Sequence, residues 1–199
     1  MKIVCLGDSL TAGYGVRPEE CWVSLLNAQT PHTWINAGIC GDTTGGMLAR
    51  LNESVFSREP DAAVLLGGIN DILTSGSWSC AKANMTALVC QCAARGIRPI
   101  VGIPLPVRAD APHPWEAGSL RQAAAQADAY ADWLRLFARR LRLRTADFNA
   151  ACRLCVQATD WDRTFLPDGL HPSPCGHRAM AHAAGAQKFL RGGHLPGPC

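Results

Sequence analysis

Lys2-Ile3-Val4-Cys5-Leu6-Gly7-Asp8-Ser9-Leu10 opens the chain with an apolar run that stops at Gly-Asp-Ser. A short, continuous apolar run of this kind is a strand covered on both faces, as in a parallel sheet. The sequence beyond it is compatible with a helix, so Ser9 falls at the carboxyl edge of a sheet. Open α/β sheets bind their ligands at that edge.

The pattern repeats outward from there. Residues 33–37, 62–67, 98–103 and 143–148 read as further strands after the first, 2–6. Helical spacing falls between them at 19–29, 44–51, 79–95, 119–140 and about 173–190. Trp22, Val23, Leu25 and Leu26 share one side of the first of these helices. Tyr130, Trp133, Leu134 and Phe137 do so in the alanine-rich 119–140 segment. Alternating β and α elements joined by right-handed crossovers predict a three-layer α/β/α fold. The expected sheet has five parallel strands in flavodoxin-like order, with the first strand central. Residues 1–191 read as one domain, and the Gly- and Pro-rich 192–199 as a loose tail. The longest irregular stretch, 104–118, follows the fourth strand on the same edge as Ser9 and is expected to wall a substrate site.

Bulk composition narrows the function. Of 199 residues 48% are hydrophobic and 18% charged, which describes a globular chain with a full core. A net charge of +3 is too small to argue for nucleic acid. Arg135, Arg139, Arg140, Arg142 and Arg144 cluster and read as a solvated helix face running into the next strand. The apolar run after Lys2 is too short for a signal-peptide core, and no stretch approaches a membrane span, so a cytoplasmic address without membrane insertion is expected.

Ten cysteines are present. Without an export signal they are expected to be reduced thiols, Cys5 serving as a small core hydrophobe. Cys152 and Cys155 form a CxxC that Cys175 and His177 could complete as zinc ligands. The second half lacks the usual paired spacing, and the CxxC does not sit where a thioredoxin-like motif would. No metal and no cofactor are expected.

Four short segments carry the chemistry: Gly7-Asp8-Ser9-Leu10; Asn36-Ala37-Gly38-Ile39-Cys40-Gly41-Asp42; Gly67-Gly68-Ile69-Asn70-Asp71; and Asp168-Gly169-Leu170-His171. The first three stand at successive strand ends, and the fourth leads into the last helix. Each alone is weak, but all four in this order at one edge are specific. On these blocks the chain resembles the SGNH hydrolases, also called the GDSL esterase/lipase family, over nearly its whole length. The leader through Leu10-Thr11-Ala12-Gly13-Tyr14-Gly15 looks like the bacterial arylesterase and lysophospholipase branch. Ile69-Asn70-Asp71-Ile72 departs from the close thioesterase-type members, which carry a further glycine after the Asn-Asp pair.

Acyl transfer assigns the roles. Ser9 is the expected nucleophile, His171 its general base, and Asp168 the group that orients the imidazole. The resemblance implies an oxyanion hole made from the Ser9 and Gly41 backbone N–H groups and the Asn70 side-chain amide. Asp8 is expected to accept a hydrogen bond in the turn, and Asp71 to anchor its loop. His32, His113, His177, His182 and His194 read as surface residues, with His113 in the 104–118 loop able to touch substrate. Trp78 and Trp115 fall near the expected pocket.

Gly-x-Ser-x-Gly, Walker A, Gly-x-Gly-x-x-Gly and His-Glu-x-x-His motifs are absent, against an α/β-hydrolase elbow, nucleotide binding and a zinc protease. The expected activity is hydrolysis of a small-molecule carboxylic ester, with short-acyl, aryl, lysophospholipid and thioester substrates all open. A carbohydrate O-acetyl esterase uses the same machinery. A flavodoxin-like anion-binding protein is the non-enzymatic alternative.

Overall fold

A computed structural model describes residues 1–111 and 117–185. Five strands, β1 (Lys2–Gly7), β2 (Thr33–Gly38), β3 (Ala62–Leu66), β4 (Arg98–Ile103) and β5 (Arg144–Asp147), form one sheet in the order β2-β1-β3-β4-β5. Every pairing is parallel, in the expected flavodoxin-like order. The central strands are buried along almost their whole length, whereas the edge strand β2 is buried only at Trp34 and Ala37.

The helices are α1 (Ser9–Ala12), α2 (Trp22–Gln29), α3 (Thr44–Ala49), α4 (Leu51–Ser54), α5 (Ile69–Ser75), α6 (Ser79–Ala94), α7 (Ala117–Arg140), α8 (Phe148–Ala158), α9 (Trp161–Thr164) and α10 (Pro174–Gly185). α3, α6 and α7 pack in one group, and α2, α8 and α10 in another. Right-handed crossovers put the groups on opposite faces. The order reverses beside β1, and that crevice is where Ser9 emerges.

Several boundaries move for local reasons. The first expected helix starts later, at Trp22, because Pro18–Glu20 is a separate 3-10 turn and Cys21 is extended (ψ 137°). The 44–51 helix breaks at Arg50 into α3 and α4. The fifth strand stops at Asp147, whose side chain accepts the Ala150 N–H and starts α8, a helix the apolar pattern does not show. α5 is also additional. It begins after Gly68, whose φ of 114° suits glycine and where a Cβ would lie 2.4 Å from Tyr130 Cε1. The 192–199 tail, the last helix beyond Gly185, and His113, Trp115 and His194 lie outside the described residues.

In the arginine cluster Arg139, Arg140 and Arg142 are exposed, as a solvated face requires, and Arg135 departs from that reading. Its guanidinium bonds both Asp147 oxygens (2.9 and 3.1 Å), Asp132 (2.8 Å) and Asn149 (3.1 Å), fastening α7 to the end of β5. Among the described residues no helix is long and apolar enough to cross a membrane.

Candidate active site

β1 delivers the chain into a tight turn at Asp8. The buried Asp8 carboxylate, not Ser9, caps α1, its Oδ1 accepting the Leu10 N–H at 2.9 Å. Ser9 is thereby the first helical residue, with its hydroxyl free to face the partner loop. Its Oγ lies 2.9 Å from His171 Nε2, although 162 residues separate the two. His171 Nδ1 lies 2.7 Å from Asp168 Oδ2.

The loop 168–171 explains this alignment. Asp168 Oδ1 accepts the backbone N–H groups of Leu170 and His171, each at 2.9 Å, so the carboxylate turns the loop back on itself. Its second oxygen is left for the imidazole. Burial pushes the Asp168 carboxyl up, but the His171 N–H, the His171 ring and the Leu170 N–H together hold it below its usual value. An ionised carboxylate only accepts, so Nδ1 carries the imidazole proton and Nε2 is left to accept from Ser9. Hydrogen bonds from Leu166 N–H to His171 O (2.8 Å) and from Arg108 N–H to Gly169 O (2.9 Å) hold the loop from both sides. The second tie brings the start of the 104–118 segment against the site, while Leu105 and Val107 are buried core.

Asn70 and Gly41 come from two other strand ends. The Asn70 side-chain amide donates one N–H to Asp42 O at 2.8 Å and keeps a second donor. Gly41 is exposed with φ 78°, and a Cβ built on it meets no protein atom within 4 Å. Glycine is required there by the left-handed backbone, not by crowding from the protein. Asp71 anchors its loop as expected, its oxygens accepting from Thr44 N–H (2.9 Å) and Thr44 Oγ1 (2.6 Å).

Two residues given no role by the sequence, Arg50 and Tyr14, complete the frame. Arg50 bonds Asp42 Oδ2 (2.7 Å), Ala37 O (2.8 Å), Ser54 Oγ (3.1 Å) and Gly7 O (2.9 Å). One guanidinium thus pins the ends of β1 and β2 to the Gly41-Asp42 turn. Tyr14 lays its ring against His171, with centroids 4.4 Å apart, and stays half exposed. In the sequence Tyr14 stands out only as part of the leader that follows Ser9, and in the structure it comes just past the left-handed Gly13 that ends α1.

Other expectations resolve differently. His177 is not a surface residue. It lies on the inner side of α10, fully buried, where its Nδ1 accepts the Trp22 N–H at 3.3 Å and burial lowers the ring to about 4. His32 is partly buried beside the amino terminus, and His182 is exposed. Cys152, Cys155, Cys175 and His177 do not come together as a set of zinc ligands. Among the described residues no group of three or more His, Cys, Asp or Glu could hold a metal. Trp78 packs on Tyr130 (6.1 Å) and Trp133 (6.0 Å) and belongs to an aromatic row.

Asp8 carries a consequence for stability. Burial raises its carboxyl from 3.8 to about 7, with the Asp42 and Asp71 charges adding and the Leu10 N–H opposing. The folded chain therefore binds this proton where the unfolded chain has lost it. Stability from this group is full below pH 4 and declines as pH rises through about 7, by at most about 4 kcal/mol. Asp8→Asn keeps an acceptor for Leu10 and removes the titration. Its urea midpoint should exceed the parent's at pH 8.5, and the gap should shrink or reverse at pH 4.5. A pH-independent difference would contradict the assignment.

Residues 5–179 match the GDSL-like lipase/acylhydrolase family. An arylesterase from Vibrio mimicus is 39% identical over 93 residues, 44% of this chain and 46% of the relative. Esterase TesA from Pseudomonas aeruginosa is 30% identical over 110 residues, 52% of this chain and 55% of the relative. These matches thus span about half the length of the curated relatives. Among solved structures, a G-D-S-L family lipolytic protein from Veillonella parvula superposes with a TM-score of 0.80 at 22% identity, covering 96% of this chain and 99% of that one. An acetyl xylan esterase from Geobacillus stearothermophilus superposes with a TM-score of 0.72 at 23% identity, covering 92% of each. With a family match that runs from β1 into the last helix and a shared fold, the chain belongs to the GDSL-like lipase/acylhydrolase family.

Proposed function

We propose that this protein is a serine esterase that hydrolyses small carboxylic esters through an acyl-enzyme intermediate. The observation that carries this reading is the hydrogen-bonded line from Ser9 Oγ through the His171 ring to Asp168. Ser9 Oγ attacks the ester carbonyl as His171 Nε2 takes its proton. Negative charge develops on the former carbonyl oxygen. The Ser9 and Gly41 N–H groups and the remaining Asn70 N–H stabilise it. Collapse expels the alcohol, which takes the proton from His171. A water, deprotonated by the same nitrogen, then attacks the acyl-Ser9 ester and releases the acid.

The rim of the site supports apolar acyl or aryl groups over a sugar. Tyr14 lies on His171, and Ile39, beside the Gly41 turn, is likewise half exposed. The Ile39 side chain and the face of the Tyr14 ring are apolar surfaces on which an acyl or aryl group can pack. The test is a series of p-nitrophenyl esters from acetate to palmitate, run beside an aliphatic thioester and an acetylated xylo-oligosaccharide. The expected result is turnover with kcat/KM highest for short aryl esters. Preference for the acetylated sugar would move the reading to a carbohydrate esterase, and failure to hydrolyse any member would overturn it.

A further inference from the structure

α8 precedes the loop that holds His171, α10 follows it, and the two helices pack together. Cys155 on α8 and Cys175, the second residue of α10, meet there with their sulfurs 3.5 Å apart. Both side chains are only partly buried. Thr164 Oγ1 lies 3.5 Å from the Cys155 sulfur, and the Cys175 N–H donates to Ser173 Oγ at 3.1 Å. Both cysteines are thus held facing each other from well-anchored backbone. A disulfide needs sulfurs at about 2.05 Å, a closure within reach of side-chain rotation and slight helix movement.

Burial raises the Cys175 thiol, the adjacent Cys155 raises it further, and Arg178 partly offsets both. Cys152, one turn earlier on α8, is fully buried, which keeps it from meeting a disulfide in solvent.

We propose that Cys155 and Cys175 are a redox modification site, cross-linked by exchange with a small-molecule disulfide such as oxidised glutathione. One cysteine loses its proton and attacks the external disulfide, forming a mixed disulfide and releasing one glutathione thiolate, which is protonated. The second cysteine, deprotonated in turn, attacks the sulfur of the first and releases the second glutathione. Two protein thiols are oxidised to one disulfide, and one glutathione disulfide is reduced to two thiols. The cross-link closes a loop that contains α9, Asp168 and His171, so it staples the segment that aims the imidazole at Ser9.

The full chain is incubated with oxidised glutathione or with dithiothreitol, alkylated, digested without reduction and analysed by mass spectrometry. Its Tm is measured in parallel. The expected result is a peptide pair joined through Cys155 and Cys175, with the oxidised Tm higher by about 5–10 °C. Cys155→Ser and Cys175→Ser should each abolish the oxidant-dependent shift. Stable glutathione adducts without the joined peptides overturn the proposal. So does a Cys152–Cys155 link, or a Cys155–Cys175 link with unchanged Tm. The parent protein alone decides between these outcomes, and neither readout depends on ester hydrolysis.

Discussion

Ser9→Ala lowers kcat on p-nitrophenyl acetate by about 10⁴- to 10⁶-fold and leaves the fold intact. The size reflects what the hydroxyl does. Its oxygen is the atom proposed to form a covalent bond to substrate, and its removal closes the acyl-enzyme route, leaving the oxyanion donors and His171 to act on a water. The expected structural neutrality has a separate cause. Asp8 rather than Ser9 caps α1, so losing the hydroxyl removes only the bond to His171 Nε2. A Tm within about 2 °C of the parent is expected, because substitutions that remove no cap and bury no new charge cost little. A fluorophosphonate probe should label the parent once and the variant not at all. Residual turnover within tenfold of the parent would remove Ser9 from the mechanism, and with it the acyl-enzyme.

The parallel sheet is legible in the sequence because strands covered on both faces have no polar face to interrupt them. Ala62–Leu66 is apolar at every position and buried at every position. Ser9, Gly41, Asn70 and His171 are legible for a different reason. Each stands after a strand or before a helix, so one topological rule sends all four blocks to one edge. The features that stay hidden depend on side chains reaching across elements. Nothing local marks Arg50 as the pin between β1, β2 and the Gly41 turn, since its partners lie up to 43 residues away. His177 reads as exposed because neither histidine of this alanine-rich helix, His177 or His182, carries a local sign of which face it takes. The burial of His177 depends on α10 packing against α2. The helix from Phe148 is masked because Asp147 both ends β5 and caps α8, and a strand reading absorbs the first helical residue. The cysteine pair is the same kind of case. The CxxC spacing pairs Cys152 with Cys155, whereas packing of α8 on α10 sets Cys155 against Cys175.

Asp168→Asn is expected to lower kcat by about 10⁴-fold while KM changes little. An asparagine retains one oxygen to accept the Leu170 and His171 N–H groups, so the loop keeps its turn. Its amide nitrogen then faces His171 Nδ1 and donates to it. That forces the imidazole proton onto Nε2, which can no longer accept from Ser9. The base is lost through the wrong tautomer although every heavy atom stays in place. The same substitution leaves a thermodynamic signature. The Asp168 carboxyl is held below its usual value, so its contribution to stability is present above the unfolded carboxylate range near pH 4 and is lost as pH falls through the folded value. The parent should therefore lose stability more steeply than the variant between about pH 5 and pH 2. Urea midpoints across that range, set beside kcat at pH 7.5, separate an orienting carboxylate from one that merely braces the loop. A bracing role alone predicts the altered acid profile with turnover near the parent's, whereas the proposed role requires both changes together.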